Sequence, residues 1–166
     1  MKLQTGEPAE GSDVWIRAVT NTTHVRKTAI HHGQFKKWLG PPNEAGGSWK
    51  VELSGRLLSL VESISADANR RIGIQKDKLI ADGKPVPSAL QYCGVLYCIV
   101  DSVRQSTFAS CDVLYDPQPD DTAHSNVVVR DKDMGEILTL IDEFLGMLTW
   151  VPNSSVQSNA TLAPKA

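Results

Sequence analysis

The segment that most constrains this chain is residues 94–100, GVLYCIV, its longest uninterrupted apolar run. β-branched and aromatic side chains favour a strand, and apolar groups on both faces predict a strand inside a sheet. A run of this length is far too short to cross a bilayer, which takes about 20 apolar residues. The chain is therefore predicted to fold around a sheet, with no membrane-spanning segment.

Four other segments have strand-like patterns. They are DVWIRAVT at 13–20, WKVEL at 49–53, CDVLY at 111–115 and NVVVR at 126–130. The first is partly apolar on both faces, whereas the second alternates cleanly. Because these segments do not alternate regularly with helices, we expect an α+β fold with a mixed or mostly antiparallel sheet.

The clearest helical pattern lies near the C-terminus. Asp133 and Glu136 have the spacing of a capping box, and the following apolar residues fall on one broad face as far as Trp150. Pro152 would end this C-terminal amphipathic helix. Residues 56–71 fit either one long helix or a strand followed by a short helix capped by Ser65, and the serines slightly favour the second alternative.

Length and composition predict a single globular domain at 13–152. The chain has 166 residues, too few for two full cores. Residues 1–12 and 153–166 are poor in bulky apolar groups and are predicted to form a flexible head and tail, and 76–88 a surface loop. Because the opening residues lack the apolar region of a secretion signal, we expect a cytoplasmic protein that does not bind a membrane.

The charge is divided unevenly along the chain. Residues 1–90 hold 13 Lys/Arg against 9 Asp/Glu, and residues 91–166 hold 4 against 10. This division suits self-association, a basic patch for an anionic ligand, or simply two solvated faces. Neither half reaches the charge density of a dedicated nucleic-acid-binding domain.

An acidic turn, DPQPDDTAH at 116–124, is the most distinctive polar string. Its carboxylates and imidazole could bind a divalent cation or act as acid and base, which makes Asp120, Asp121 and His124 candidate catalytic residues. Alternatively, the two prolines and the aspartates simply form a stiff turn. The spacing matches no established metal motif, and we predict neither a metal nor a cofactor.

A basic and aromatic stretch precedes the first glycine-rich loop. Cations beside aromatic rings suit phosphates and stacked bases, and a nucleotide or nucleic acid could bind there. The alternative is a short amphipathic helix whose aromatic rings reach the core. The candidate binding residues are His31, His32, Phe35, Lys36, Lys37 and Trp38.

Two resemblances bear on function. GVLYCIVDSVRQ and CDVLYDPQPDDTAHSNVVV, which cover about 94–129, resemble small uncharacterised bacterial proteins, which implies a bacterial accessory role. The order of segments is similar to ADP-ribosyltransferase-like domains. That similarity implies nucleotide binding with Arg17 on a phosphate and Ser59 or Ser54 near the ribose. The glutamate of that family is missing from the late strands.

The sequence contains no phosphate-binding glycine loop and no G-x-S-x-G motif. We therefore interpret the chain as a non-enzymatic interaction module that binds a protein partner or its own copies. A degenerate ADP-ribosyltransferase-like domain and a metal-dependent hydrolase at 116–124 are the alternatives. The first interpretation predicts that Arg17, Ser59 and the acidic turn do not share a cleft.

Overall fold

The computed structural model of the protein describes residues 4–25, 49–106, 111–132 and 142–153, with the backbone alone at 49–52 and 129–132. Residues 142–147 are also helical. The strands are β1 (Val14–Asn21), β2 (Trp49–Leu57), β3 (Leu90–Ile99), β4 (Cys111–Tyr115), β5 (His124–Lys132) and β6 (Thr149–Pro152), and the helices are α1 (Ile64–Ala81) and α2 (Val100–Arg104).

The six strands form one sheet in the order β4-β5-β2-β1-β3-β6. Every described strand pair is antiparallel, which confirms the prediction of an α+β fold. Residues 94–99 of the segment GVLYCIV lie in β3 between β1 and β6, as its two apolar faces predicted, and Val100 begins α2. None of the helices in the described ranges is long and apolar enough to span a bilayer.

The sheet parts between β1 and β2. These strands pair only at Trp15↔Leu57 and Ile16↔Arg56, after which β1 continues along β3 and β2 continues along β5. Across the opening, the side chain of Arg17 donates a hydrogen bond from Nη1 to the carbonyl oxygen of Ser54. A side-chain hydrogen bond thus replaces the next backbone hydrogen bond between β1 and β2.

One face of the sheet carries an apolar core centred on Trp15, which is fully buried. Its indole meets the ring of Phe144, from the helical segment 142–147, edge to face at 5.8 Å between centroids. The indole also lies against the backbone of Gly55, where a β-carbon would come within 2.3 Å of the ring. Gly55 is therefore required for this packing.

The other face is covered by α1. Ile64, Ala68 and Ile72 recur at helical spacing and are buried against Ile16 and Val95. These contacts lie over β1 and β3, the strands with the most apolar residues on this face. Ile72 is the last of the buried residues of α1, and Leu79 packs against the same cluster while partly exposed.

The start of α1 differs from both alternatives predicted for 56–71. β2 continues to Leu57, and α1 begins after Ser63, whose hydroxyl accepts the Ala66 N–H at 3.3 Å. The cap at Ser65 was wrong, because Ser63 is already in the extended conformation that a cap requires. Since α1 runs to Ala81, the loop predicted at 76–88 begins only after that residue.

The described residues near the two ends of the chain lie against the sheet or within it. In the expected head, Gly6 donates its N–H to Tyr115 O at 2.7 Å and Ala9 donates to Val113 O at 2.9 Å, both along β4. The C-terminal helix does not extend to Trp150, because Trp150 pairs with Leu96 in the sheet. Residues 133–141 and 154–166, where its start and the expected tail fall, lie outside the described ranges.

Candidate functional site

A cavity of about 490 Å³ opens where β1 and β2 part. α1 lies on one side of it and the turn between β4 and β5 on the other. Volumes of this size are typical of small-molecule sites. Its charged lining residues are Arg17, Arg56, Arg70, Arg71, Lys78, Asp120 and Asp121.

The cavity is strongly positive. Its five Lys/Arg side chains and two carboxylates leave a formal charge of +3 with histidine neutral. Asp67 is outside the lining but contacts both Arg56 and Arg70, and including it reduces the local balance to +2. The whole chain carries −2, so positive charge is concentrated at this site.

Arg17 is one of two buried cations of the site, with 8% of its surface exposed. Burial, and secondarily repulsion from Arg71 and Arg56, lowers its pKa to about 9. At neutral pH the guanidinium therefore remains protonated, in a place that disfavours its charge. An anion beside it would reverse that penalty.

Arg56 and Arg70 are bound to acidic residues. Arg56 is 5% exposed and pairs through Nη2 with the Asp121 carboxylate, while its Nε lies 3.2 Å from Asp67 Oδ2. Burial lowers the pKa of Arg56, and the two carboxylates oppose the shift. Arg70 contacts Asp67 at 3.1 Å and donates to the carbonyl of Asp120 at 3.1 Å. The acidic turn therefore anchors arginines.

Arg71 differs from these two residues. It is half-buried on α1, and burial together with the nearby Arg56 lowers its pKa. Within the part of the chain that the structure describes, its side chain forms no hydrogen bond or ion pair. The Asp121 and Asp67 carboxylates act on Arg71 only through space and partly oppose this shift. A guanidinium that faces a cavity without a hydrogen-bonded partner is available for an anionic ligand.

A second polar group lies beside the arginines. Ser54 Oγ is 2.7 Å from His124 Nε2, and His124 Nδ1 is 2.8 Å from the backbone oxygen of Asp116. The carboxylate of Asp116 lies 3.3 Å from the same nitrogen. Since a carbonyl can only accept, Nδ1 of the neutral ring carries the proton and Nε2 accepts the Ser54 hydroxyl.

The structure brings together most of the predicted catalytic candidates. Arg17, Asp120, Asp121 and His124 all line the cavity, so the expectation that the first strand and the acidic turn stay apart was wrong. The parting of β1 from β2 is the physical reason, because it lets Arg17 reach the β2 side. Ser59 is the exception: its hydroxyl bonds to the Asp13 carboxylate and it does not line the cavity.

Two groups of predictions have other outcomes. The binding candidates His31, His32, Phe35, Lys36, Lys37 and Trp38 lie outside the described residues. Among the described residues, no three His, Cys, Asp or Glu side chains are grouped so that they could hold a metal ion. The turn residues proposed for metal chemistry are instead bound to arginine and histidine.

Sequence reasoning missed three arginines of the site. Arg56 is two residues from Ser54 and shares its face of β2, a signal that strand alternation offers. Arg70 and Arg71 were missed because the helix that carries them was placed incorrectly. No sequence pattern links α1 to the turn at 116–124, since their contact depends on the register of the sheet.

Comparison with protein-family models, with curated proteins and with solved structures finds no match to this chain. The function therefore has to be inferred from the cavity itself. Its residues come from β1, β2, α1 and the β4–β5 turn, and they combine surplus positive charge with a hydroxyl–imidazole pair.

Proposed function

We propose that the protein binds a small anionic molecule, bearing a phosphate or carboxylate group, in the cavity between β2 and α1. The observation that carries this proposal is Arg71, which faces the cavity beside two buried arginines and forms no hydrogen bond or ion pair with the described residues. Guanidinium groups bind phosphates and carboxylates through paired hydrogen bonds. The cavity has room for a ligand of nucleotide size or smaller.

The electrostatics support the same proposal. Arg17, Arg56 and Arg71 repel one another, and burial lowers the pKa of each. Clustered like charges reduce the stability of a folded protein, and a bound anion removes part of that cost. A ligand that binds only the folded state, at 100 times its Kd, adds about 2.7 kcal/mol to the free energy of unfolding.

A nucleotide is one member of this ligand class. The resemblance to ADP-ribosyltransferase-like domains implies a phosphate at Arg17 and a ribose near Ser54 or Ser59. Of the two serines, Ser54 accepts a hydrogen bond from Arg17 through its carbonyl oxygen, whereas Ser59 bonds to Asp13. The missing glutamate favours binding over transfer. The nucleotide is therefore tested as one anion among several.

Binding of a macromolecule or a second copy is a second proposal. It draws on Ile74 and Ile80, which are exposed on α1 with 46% and 65% of their surfaces accessible. A partner that covered these side chains would remove their apolar surface from water. The bacterial accessory role and the cytoplasmic location stay predictions from the sequence.

Thermal unfolding in sulfate, phosphate, ATP and NAD, each against chloride at equal ionic strength, tests the anion site. We expect sulfate or a phosphate compound to raise the Tm of the wild type and of Lys84→Met, an exposed control outside the cavity. Arg71→Met should lose most of that rise. Equal Tm increases in wild type and Arg71→Met, or none in any anion, would contradict the proposal.

A further inference from the structure

We propose that Ser54, His124 and Asp116 form a nucleophile, a general base and an orienting group that hydrolyse a carboxylic ester bearing an anionic group. The inference rests on the proposed anion site, because the arginines of that cavity would bind the charged end of the ester. It adds a reaction to that binding function.

The sheet register positions the three residues. Ser54 is opposite Asn126 and Arg56 is opposite His124, so Ser54 and His124 are diagonal neighbours on two paired strands. The N–H of Asp116 donates to His124 O at 3.0 Å where β4 leads into the turn. Ser54 and His124 therefore lie on paired strands, and Asp116 is the first residue after β4.

The hydrogen bonds have the polarity that nucleophile activation requires. His124 donates from Nδ1 to the backbone carbonyl of Asp116, which leaves Nε2, 2.7 Å from Ser54 Oγ, to accept the Ser54 proton. The Asp116 carboxylate is held in turn by Asn126 Nδ2 at 3.1 Å and Gln118 Nε2 at 3.2 Å. When His124 becomes an imidazolium, the carboxylate 3.3 Å from Nδ1 stabilises the new charge.

The surroundings suit an anionic transition state. Ser54 and His124 line the same cavity as Arg17 and Arg71, and Ser54 is only 9% exposed. Cations beside a buried group stabilise negative charge on a carbonyl oxygen more strongly than they would at an exposed surface. Asp116 does not line the cavity, which is consistent with an orienting role.

The reaction has two steps. Ser54 Oγ forms a bond to the ester carbonyl carbon as its proton moves to His124 Nε2, and the alcohol leaves with that proton when its C–O bond breaks. Water then attacks the acyl-serine, gives one proton to His124 Nε2, and the carboxylic acid leaves as Ser54 recovers the proton. The sum is ester plus water giving acid plus alcohol.

A fluorophosphonate probe tests the nucleophile in the intact protein. Such probes form an O–P bond with an activated serine and release fluoride. We expect mass spectrometry to find the label on Ser54, and to find none on Ser54→Ala or His124→Asn. Ser59→Ala is the matched control, because that serine lies outside the cavity, and it should label like the wild type.

A pair of esters tests the anionic preference. Mono-p-nitrophenyl adipate carries a carboxylate, whereas p-nitrophenyl hexanoate has the same chain length without the charge. We expect kcat/KM for the adipate to exceed that for the hexanoate by about tenfold, and Arg71→Met to remove most of the difference. Ser54→Ala should abolish turnover of both esters above background.

The failures of the two proposals are distinguishable. If sulfate stabilises the wild type but the probe leaves Ser54 unlabelled, the esterase inference is overturned and the anion site stands. If the probe labels Ser54 but both esters react equally, the anionic substrate is wrong. Labelling of the wild type requires no variant, so an unfolded Ser54→Ala would not prevent a decision.

Discussion

The two faces of β2 differ sharply although their residues alternate along one strand. Leu53 and Leu57 point into the apolar core with Trp15, and Gly55, which lacks a β-carbon, leaves space for the indole. Ser54 and Arg56 point the other way, to the cavity. The packing on the apolar face stabilises the fold, whereas the buried like charges on the cavity face destabilise it.

This difference follows from where α1 makes its apolar contacts. Its buried residues, such as Ala68 and Ile72, lie over β1 and β3, whereas Arg70 and Arg71 face β2 and the acidic turn. A helix that covers half of a sheet face with aliphatic groups leaves room for a ligand over the other half. Substitutions on the two faces should therefore have different consequences.

The largest effect is expected on the apolar face. Trp15→Ala removes a fully buried indole and leaves a cavity next to Phe144. We expect the free energy of unfolding in urea to fall by about 3–5 kcal/mol. A fall below about 1 kcal/mol would mean that this face is not the stabilising one.

Gly55→Ala should have the next largest effect. The new methyl group would overlap the Trp15 ring, so either the indole or β2 must shift. Overpacking of this kind destabilises by about 1–3 kcal/mol in denaturant unfolding. Gly73→Ala, in α1 with open space around its β-carbon, is the control and should be neutral or stabilising. Equal effects at both glycines would contradict the close approach.

On the cavity face, Arg17 should give a pH dependence of stability. Its folded pKa is about 9 and its unfolded value is 12.5, so the cost of its charge is fully present below pH 9. Above pH 9 the folded state releases the proton first. As the pH increases above 9, the wild type should therefore gain stability relative to Arg17→Met. The difference between their free energies of unfolding should rise by up to about 1 kcal/mol per pH unit. A difference that is flat from pH 8 to pH 10.5 would contradict the shift.

The smallest effect is expected at the rim of the cavity. Arg70 is exposed, so the ion pair with Asp67 contributes little. Arg70→Ala should change the free energy of unfolding by less than about 1 kcal/mol. Titration calorimetry should show only a modest loss of affinity for sulfate. A loss larger than that of Arg71→Met would move the anion site from the interior of the cavity to its rim.

The sequence predicts the sheet better than the cavity. GVLYCIV and DVWIRAVT have apolar groups on both faces, and both form interior strands as expected. The end of β2 and the start of α1 were misplaced, because the serines around position 63 fit a cap at either of two places. Local sequence patterns identify the strands but do not determine the residue at which a strand ends or a helix begins.

The cavity could not be predicted from the sequence, because its residues are brought together only by the pairing of strands that are distant in the chain. Ser54 and His124 are 70 positions apart and come together through the β2–β5 register. Arg17 belongs to the site only because β1 parts from β2 one residue earlier. Neither event has a local sequence signal, whereas the turn at 116–124 was recognisable from its composition.

The parting of β1 from β2 divides the sheet into two three-stranded units, β4-β5-β2 and β1-β3-β6. Two residue pairs and the Arg17 hydrogen bond to Ser54 join them within the sheet. A force that separates the units would therefore break few backbone hydrogen bonds at this seam. A ligand that binds both Arg17 on one unit and Arg56 on the other would join the two units. It would therefore slow amide hydrogen exchange along β1 and β2.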